Sequence, residues 1–235
     1  MIVVFIGHEL PLFNTSIINH ITVTEYHNPE SGVWYNIVMY HIRQMAEAEI
    51  EIKKSRFIGI LIPVDNEEDV KDLLISVRKK YPSATHYCTA LSINGRQRSN
   101  DDGEPSGTAG LPMLECLRHK ELDNVLAVVV RYFGGTLLGT GGLVRAYQQA
   151  VNKAIENAVI TRPVEKQKYR ITVPYDLSSK AETILARQTI LERDYLDQVT
   201  YTFLSDSDIS EQFLAVSSGT VKPELIETVT VEETL

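Results

Sequence analysis

The chain has 235 residues, 43% hydrophobic and 23% charged, an ordinary globular composition with room for one large domain or two small ones. No apolar run is long enough to span a bilayer. The opening MIVVFIG lacks the basic region and nearby cleavage site of a signal peptide, and Cys88 and Cys116 allow at most one bridge, so a cytoplasmic protein with reduced thiols and no membrane contact is expected. The formal charge of −8 argues against indiscriminate nucleic-acid binding, yet it is uneven: −4 over residues 1–49, +1 over 50–160 and −5 over 161–235. In chain order, MIVVFIGHEL reads as a strand, and WYNIVMYHIRQM as a strand or a helix. EIEIKK alternates cleanly and FIGILIPV follows as a strand. Asp65 and Glu68 have capping-box spacing before a helical stripe of Val70, Leu73, Leu74, Val77 and Tyr81. Arg78, Lys79 and Lys80 fall in its last turn, where the helix dipole favours cations, and Pro82 stops it. HYCTALSI is a strand with His86, Cys88 and Ala90 on one face. Residues 94–110, NGRQRSNDDGEPSGTAG, read as a long polar loop, of the kind that is functional or disordered inside a compact domain. Pro112 opens a short helix, NVLAVVV is a buried strand, and a helical stripe of Leu143, Tyr147, Ala150 and Ala154 runs to about Ala158. The polar TRPVEKQK (161–168) marks a domain boundary. Beyond it come a strand (Tyr169–Tyr175), a helix (about 178–188), two strands (TILERDY, QVTYTFLS), a helix (about 207–217) and a strand (LIETVTV), the ferredoxin-like βαββαβ order.

The stretch most able to carry chemistry is VVVRYFGGTLLGTGG, residues 128–142. A P-loop places a lysine where Thr140 stands, and a dinucleotide-binding fingerprint places a third glycine where Val144 stands, so both nucleotide readings fail. Gly141 and Gly142 still expose backbone N–H groups at a helix N-terminus, where an anion is favoured. A sharp strand-to-helix turn is the equal alternative. An arginine on an apolar strand must be paired or reach solvent, and Asp101, Asp102 and Glu104 of the 94–110 loop are natural partners for Arg131. His86, Cys88, Ser106 and Thr108 could serve as nucleophile or base, but no spacing specifies such an arrangement. His86 and Cys88 lack the second paired cluster of a metal site, and neither a metal nor a cofactor is expected.

KKSRFIG (53–59), ATHYCTA (84–90), SNDDGEPSGTAGLPML (99–114) and VVVRYFGGTLLGTGGLVRAY (128–147), four blocks in one order, resemble the IMPACT family across about residues 47–160. Residues 168–235 are similar in pattern to the family's bacterial C-terminal domain; residues 1–46 match nothing in it. The resemblance implies an α+β protein of two domains. The first (47–162) would be an α/β domain like that of a small-subunit ribosomal protein and of elongation factor G domain IV. The second (163–235) would be ferredoxin-like, as domain V of that factor is. It implies a partner in translation, RNA, the ribosome or a protein. Eukaryotic relatives regulate translation by competing for a partner of the amino-acid-starvation kinase, using an added RWD domain that this sequence does not show, so that mechanism is not carried over. The resemblance supplies no catalytic residues.

The expected function is therefore a non-enzymatic regulator of translation, contacting RNA or anions through Lys53, Lys54, Arg56, Arg96, Arg98, Arg131, Gly141, Gly142 and Arg145. Asp101, Asp102, Glu104 and Arg131 form its candidate structural ion-pair network. The alternatives are an enzyme acting on a phosphorylated small molecule at the 99–110 and 134–142 loops, and a protein-binding module without nucleic acid.

Overall fold

The computed structural model describes residues 39–235 in full and the backbone of 14–18, 21–27 and 34–38. The chain forms two compact units of mixed α/β structure: one contains Thr22–Pro163 and Glu232–Leu235, the other Val164–Val231. Strands β1 (Asn14–Ile18), β2 (Ile21–His27) and β3 (Trp34–Val38) make a three-stranded sheet. MIVVFIGHEL lies outside the described residues. Of WYNIVMYHIRQM, the first part is β3 and His41–Ile42 is a short strand, β4, so the helical alternative is not adopted.

The first unit is built on β5 (Ala46–Ile52), β6 (Ser55–Pro63), β7 (His86–Ile93), β8 (Arg96–Asn100) and β9 (Val125–Tyr132), in the order β5-β6-β9-β7-β8. All neighbouring pairs are antiparallel. Because strand side chains alternate, the central β9 serves two cores. Leu126, Val128 and Val130 pack with Val77 and Leu73 of α1 (Val70–Lys80). Ala127 and Val129 pack with Met113 and Leu117 of α2 (Gly110–His119), and with Tyr147 and Ala150 of α3 (Thr140–Glu156). A sheet covered on both faces explains why β6 and β9 read as unbroken apolar runs.

Three local expectations are corrected. Asp65 and Glu68 form no capping box: a 3-10 turn at Glu67–Asp69 precedes α1, whose N-cap Asp69 makes no side-chain cap hydrogen bond. The 94–110 segment is not one loop, since Arg96–Asn100 pairs with β7 as an edge strand. Its solvated face lets it be polar throughout, which hides it from hydrophobic patterning. Lastly, the end of the unmatched 1–46 segment belongs to this unit. Tyr40 N–H donates to the Glu121 carbonyl (2.8 Å), Asp123 N–H donates to the Tyr40 carbonyl (2.9 Å), and Ile42 and Ala46 are buried in the α2/α3 core.

TRPVEKQK is strand throughout, inside β10 (Ile160–Val173). The second unit continues with α4 (Tyr175–Leu185), β11 (Thr189–Tyr195), β12 (Val199–Ser205), α5 (Ser210–Val216) and β13 (Glu224–Thr234). Its sheet order is β11-β12-β10-β13, so the βαββαβ connectivity places the first strand centrally, against the third and the fourth. Tyr169, Ile171, Val173, Val199, Tyr201 and Phe203 point to one face and pack with Ala181, Leu185 and Phe213. No helix among the described residues is long and apolar enough to cross a membrane.

Candidate functional site

Two connections and one hairpin meet at the end of the first sheet where β6 and β7 begin and β9 ends. The 101–109 loop feeds α2, residues 133–139 feed α3, and Lys53–Lys54 join β5 to β6.

The 101–109 loop is organised by its own carboxylates, each spent differently. Asp101 accepts backbone N–H groups from Gly107 (2.8 Å), Ala109 (3.0 Å) and Gly110 (2.8 Å), the last of these the first residue of α2. Burial pushes its pKa up, but the bonds from Gly107, Gly110 and Ala109 outweigh burial and hold the carboxyl below its usual value. Asp102 accepts the Tyr87 N–H (2.7 Å) and faces Arg78 (3.4 Å), whose guanidinium lies over the Tyr87 ring. Glu104 turns inward to Arg131. Arg131 is 5% exposed and Glu104 9%, and their side chains are hydrogen-bonded.

The Tyr147 hydroxyl, from α3, donates to the same Glu104 oxygen (2.7 Å). The Cys88 thiol lies 3.3 Å from that hydroxyl and 3.0 Å from the Asp101 carbonyl oxygen. His86 pairs in register with Arg131. Its Nδ1 is 2.8 Å from the Asp102 carbonyl oxygen, which can only accept, so Nδ1 carries the proton; its Nε2 is 3.8 Å from Glu104. Arg131 also sits over the Phe57 and Phe133 rings, at 5.2 and 5.5 Å, and its Nε has no hydrogen-bond partner.

The candidate ion-pair network thus narrows to one pair. Arg131 reaches Glu104, while Asp101 and Asp102 serve backbone and Arg78. The guanidinium meets one carboxylate because parallel carboxylates at 101 and 102 are already committed. Burial pushes the Cys88 thiol up to about 12, and the Tyr147 phenol well above its ordinary range. A thiol so raised is not a thiolate near neutral pH. Ser106 is exposed, and the Thr108 hydroxyl donates to the Pro105 carbonyl (2.6 Å). Among the described residues no three His, Cys, Asp or Glu side chains group as a metal site.

The 133–142 segment is organised by glycine instead. A Cβ on Gly134 would sit 2.0 Å from the Lys54 carbonyl carbon, so this position must be bare for the connection to lie against the hairpin tip. Gly139, the N-cap of α3, has φ 74° and offers no side chain to cap the helix, and the first turn of α3 holds no acid. Gly141 has nothing within 4 Å of where a Cβ would stand. Phe133 is half exposed and Leu137 is 82% exposed.

The other basic candidates divide. Arg56 bonds Glu49 (2.6 Å) and Arg98 bonds Glu67 (2.7 Å). Lys53, Lys54, Arg96 and Arg145 are exposed and make no ion pair among the described residues. Arg96 lies on the edge strand β8, away from the hairpin tip. The polar role of Tyr147 and the exposure of Phe133 carry no spacing signal in the sequence. Tyr147 sits in an apolar stripe, and only the hydroxyl on a buried ring signals that it needs a polar partner.

The model of the Impact N-terminal domain matches residues 53–155. IMPACT family member YvyE of Bacillus subtilis (strain 168) is 37% identical over 192 residues, covering 77% of this chain and 87% of its own length. The chain belongs to the IMPACT family. IMPACT family member YigZ of Escherichia coli (strain K12) is 41% identical over 152 residues, 62% of this chain and 74% of its own. A crystal structure of a hypothetical protein, 35% identical, superposes with a TM-score of 0.52 over 80% of this chain and 97% of its own. The IMPACT domain match runs from the hairpin tip to the last turn of α3 and so contains the whole site.

Proposed function

We propose that this IMPACT family member is a non-enzymatic factor in translation or its control, contacting RNA or the ribosome with the first unit. The observation that carries the reading is the division of labour in the site. Of the groups with catalytic potential, Cys88, Glu104, Arg131 and Tyr147 are turned on one another in the interior, and the half-buried His86 is bonded to the Asp102 backbone carbonyl. Lys53, Lys54, Arg145 and the N–H groups of Gly141 and Gly142 lie at the surface, the arrangement expected of a phosphate-contacting face. Family membership supports a role in translation. The βαββαβ strand order of the second unit is compatible with a likeness to elongation factor G domain V, and the first unit would correspond to domain IV. An acidic second unit suits a protein contact better than a phosphate one. Co-sedimentation with ribosomes at two salt concentrations tests the reading: association at low salt that falls steeply at high salt is expected, and none at either concentration contradicts it.

A further inference from the structure

The exposed side of α3 is not flat. Beside β5 it forms an open groove of about 510 Å³, lined by Ile50, Arg145, Gln148, Gln149, Asn152, Lys153 and Glu156. The direction of the groove follows from three contacts. Asn157 at the C-terminal end of α3 donates to the Glu47 carbonyl (2.9 Å), Gly59 packs on the Ala150 carbonyl, and Gly134, before α3, packs on Lys54. Strand β5 therefore runs antiparallel to α3, and the β5–β6 tip lies at the N-terminal end of the helix. Lys53 and Lys54 stand at the Arg145 end of the groove, and Phe133 directly precedes the glycine that packs on Lys54.

We propose that this groove, continued by the Lys53–Lys54 tip and the Phe133 ring, seats a single-stranded stretch of RNA; the proposal rests on the translation reading and specifies where and how contact is made. Arg145 and Lys153 are eight residues apart, about 12 Å along the helix. The tip lysines extend the cationic line beyond Arg145. Lys153 is bonded to Glu156 (2.6 Å), whereas Lys53, Lys54 and Arg145 are in no ion pair among the described residues, so the described part of the line is net positive in a chain that is net negative. Between the cations stand three amides, which donate and accept and so match base edges. Phe133, half exposed, offers a base the ring face that Arg131 does not cover. An acidic peptide would satisfy the cations, but the groove gives it one apolar residue, Ile50, and no anchoring pocket of the kind that carries protein interfaces.

The test uses the full chain and a fluorescein-labelled 12-nucleotide oligouridylate, read by fluorescence anisotropy at low salt. Phe133→Ala weakens binding about tenfold, the scale of one lost base stack. Lys53→Ser with Lys54→Ser lowers the salt slope by about 1.4, two single-strand phosphate contacts. Arg145→Ala with Gln149→Ala weakens binding several-fold, and Lys79→Ser, on α1, leaves it unchanged. All these positions are at the surface, and unchanged melting temperatures verify folding. Binding by the wild type that none of the groove changes weakens overturns the groove while leaving the translation reading intact. Ribosome association without oligouridylate binding overturns the RNA seat alone, as does displacement by an oligoglutamate that is insensitive to Phe133→Ala. Absence of both ribosome and oligouridylate binding overturns both proposals.

Discussion

The two connections that enter α2 and α3 solve the same problem in opposite ways. The 101–109 loop gives its helix a carboxylate, Asp101, and buries a second, Glu104, against Arg131. The 133–139 connection gives its helix a glycine N-cap and no acid, and keeps Phe133 and Leu137 at the surface. The first has spent its polar groups on folding. Among the described residues the second leaves the neighbouring Lys53, Lys54 and Arg145 out of any ion pair, and a surface with unspent charge is one that can meet a partner.

The largest expected effect breaks the first loop. Arg131→Ala strands Glu104 in the interior and costs about 3–5 kcal/mol, while Arg131→Lys restores part of it because lysine lacks the planar fork. Chemical denaturation measures both. A cost within about 0.5 kcal/mol, the range of an ordinary surface change, would show that the pair is not structural.

Next is Gly134→Ala, whose Cβ meets backbone rather than a movable side chain. It costs about 1–3 kcal/mol as an overpacked site does, read as a lower melting temperature. Asp101→Ala removes the carboxylate that accepts three backbone N–H groups and costs about 2 kcal/mol, the upper range for a helix cap. Its pH dependence has a definite sign. The folded-state pKa of Asp101 is depressed, so its stabilisation is complete above the unfolded value, near 3.9, and is lost as pH falls through the lower folded value. The variant therefore shows a shallower loss of stability below about pH 4 in acid titrations followed by circular dichroism.

The smallest effect has the opposite direction. Gly141 is helical with open space at its Cβ, so Gly141→Ala stabilises by about 0.5 kcal/mol through the unfolded chain. If the same change weakens ribosome association, the bareness of Gly141 serves a partner; unchanged association would leave it a turn residue.

Much of this architecture is legible in the sequence where patterning is strong. β7, β9 and α3 follow from alternation and helical spacing, because each buries a defined face. β8 is silent: an edge strand reading RQRSN has no apolar side to betray it. The capping box at Asp65 and Glu68 is a spacing that a 3-10 turn pre-empts. Within DDGEP, residue types alone make three carboxylates equivalent partners for Arg131. Only the register of β7 against β9, and the inward turn of Glu104, tell them apart. The groove on α3 is invisible for a related reason, since it depends on β5 lying antiparallel to the helix, a long-range fact with no local signature.

The central claim is that the unspent cations at the hairpin tip and on α3 meet phosphates. The most direct measurement is the salt dependence of full-chain binding to oligouridylate. With Lys53, Lys54 and Arg145 each neutralising one single-strand phosphate, the logarithm of the affinity should fall with the logarithm of salt at a slope of about −2. A slope indistinguishable from zero, or no binding at the lowest salt, would contradict the account.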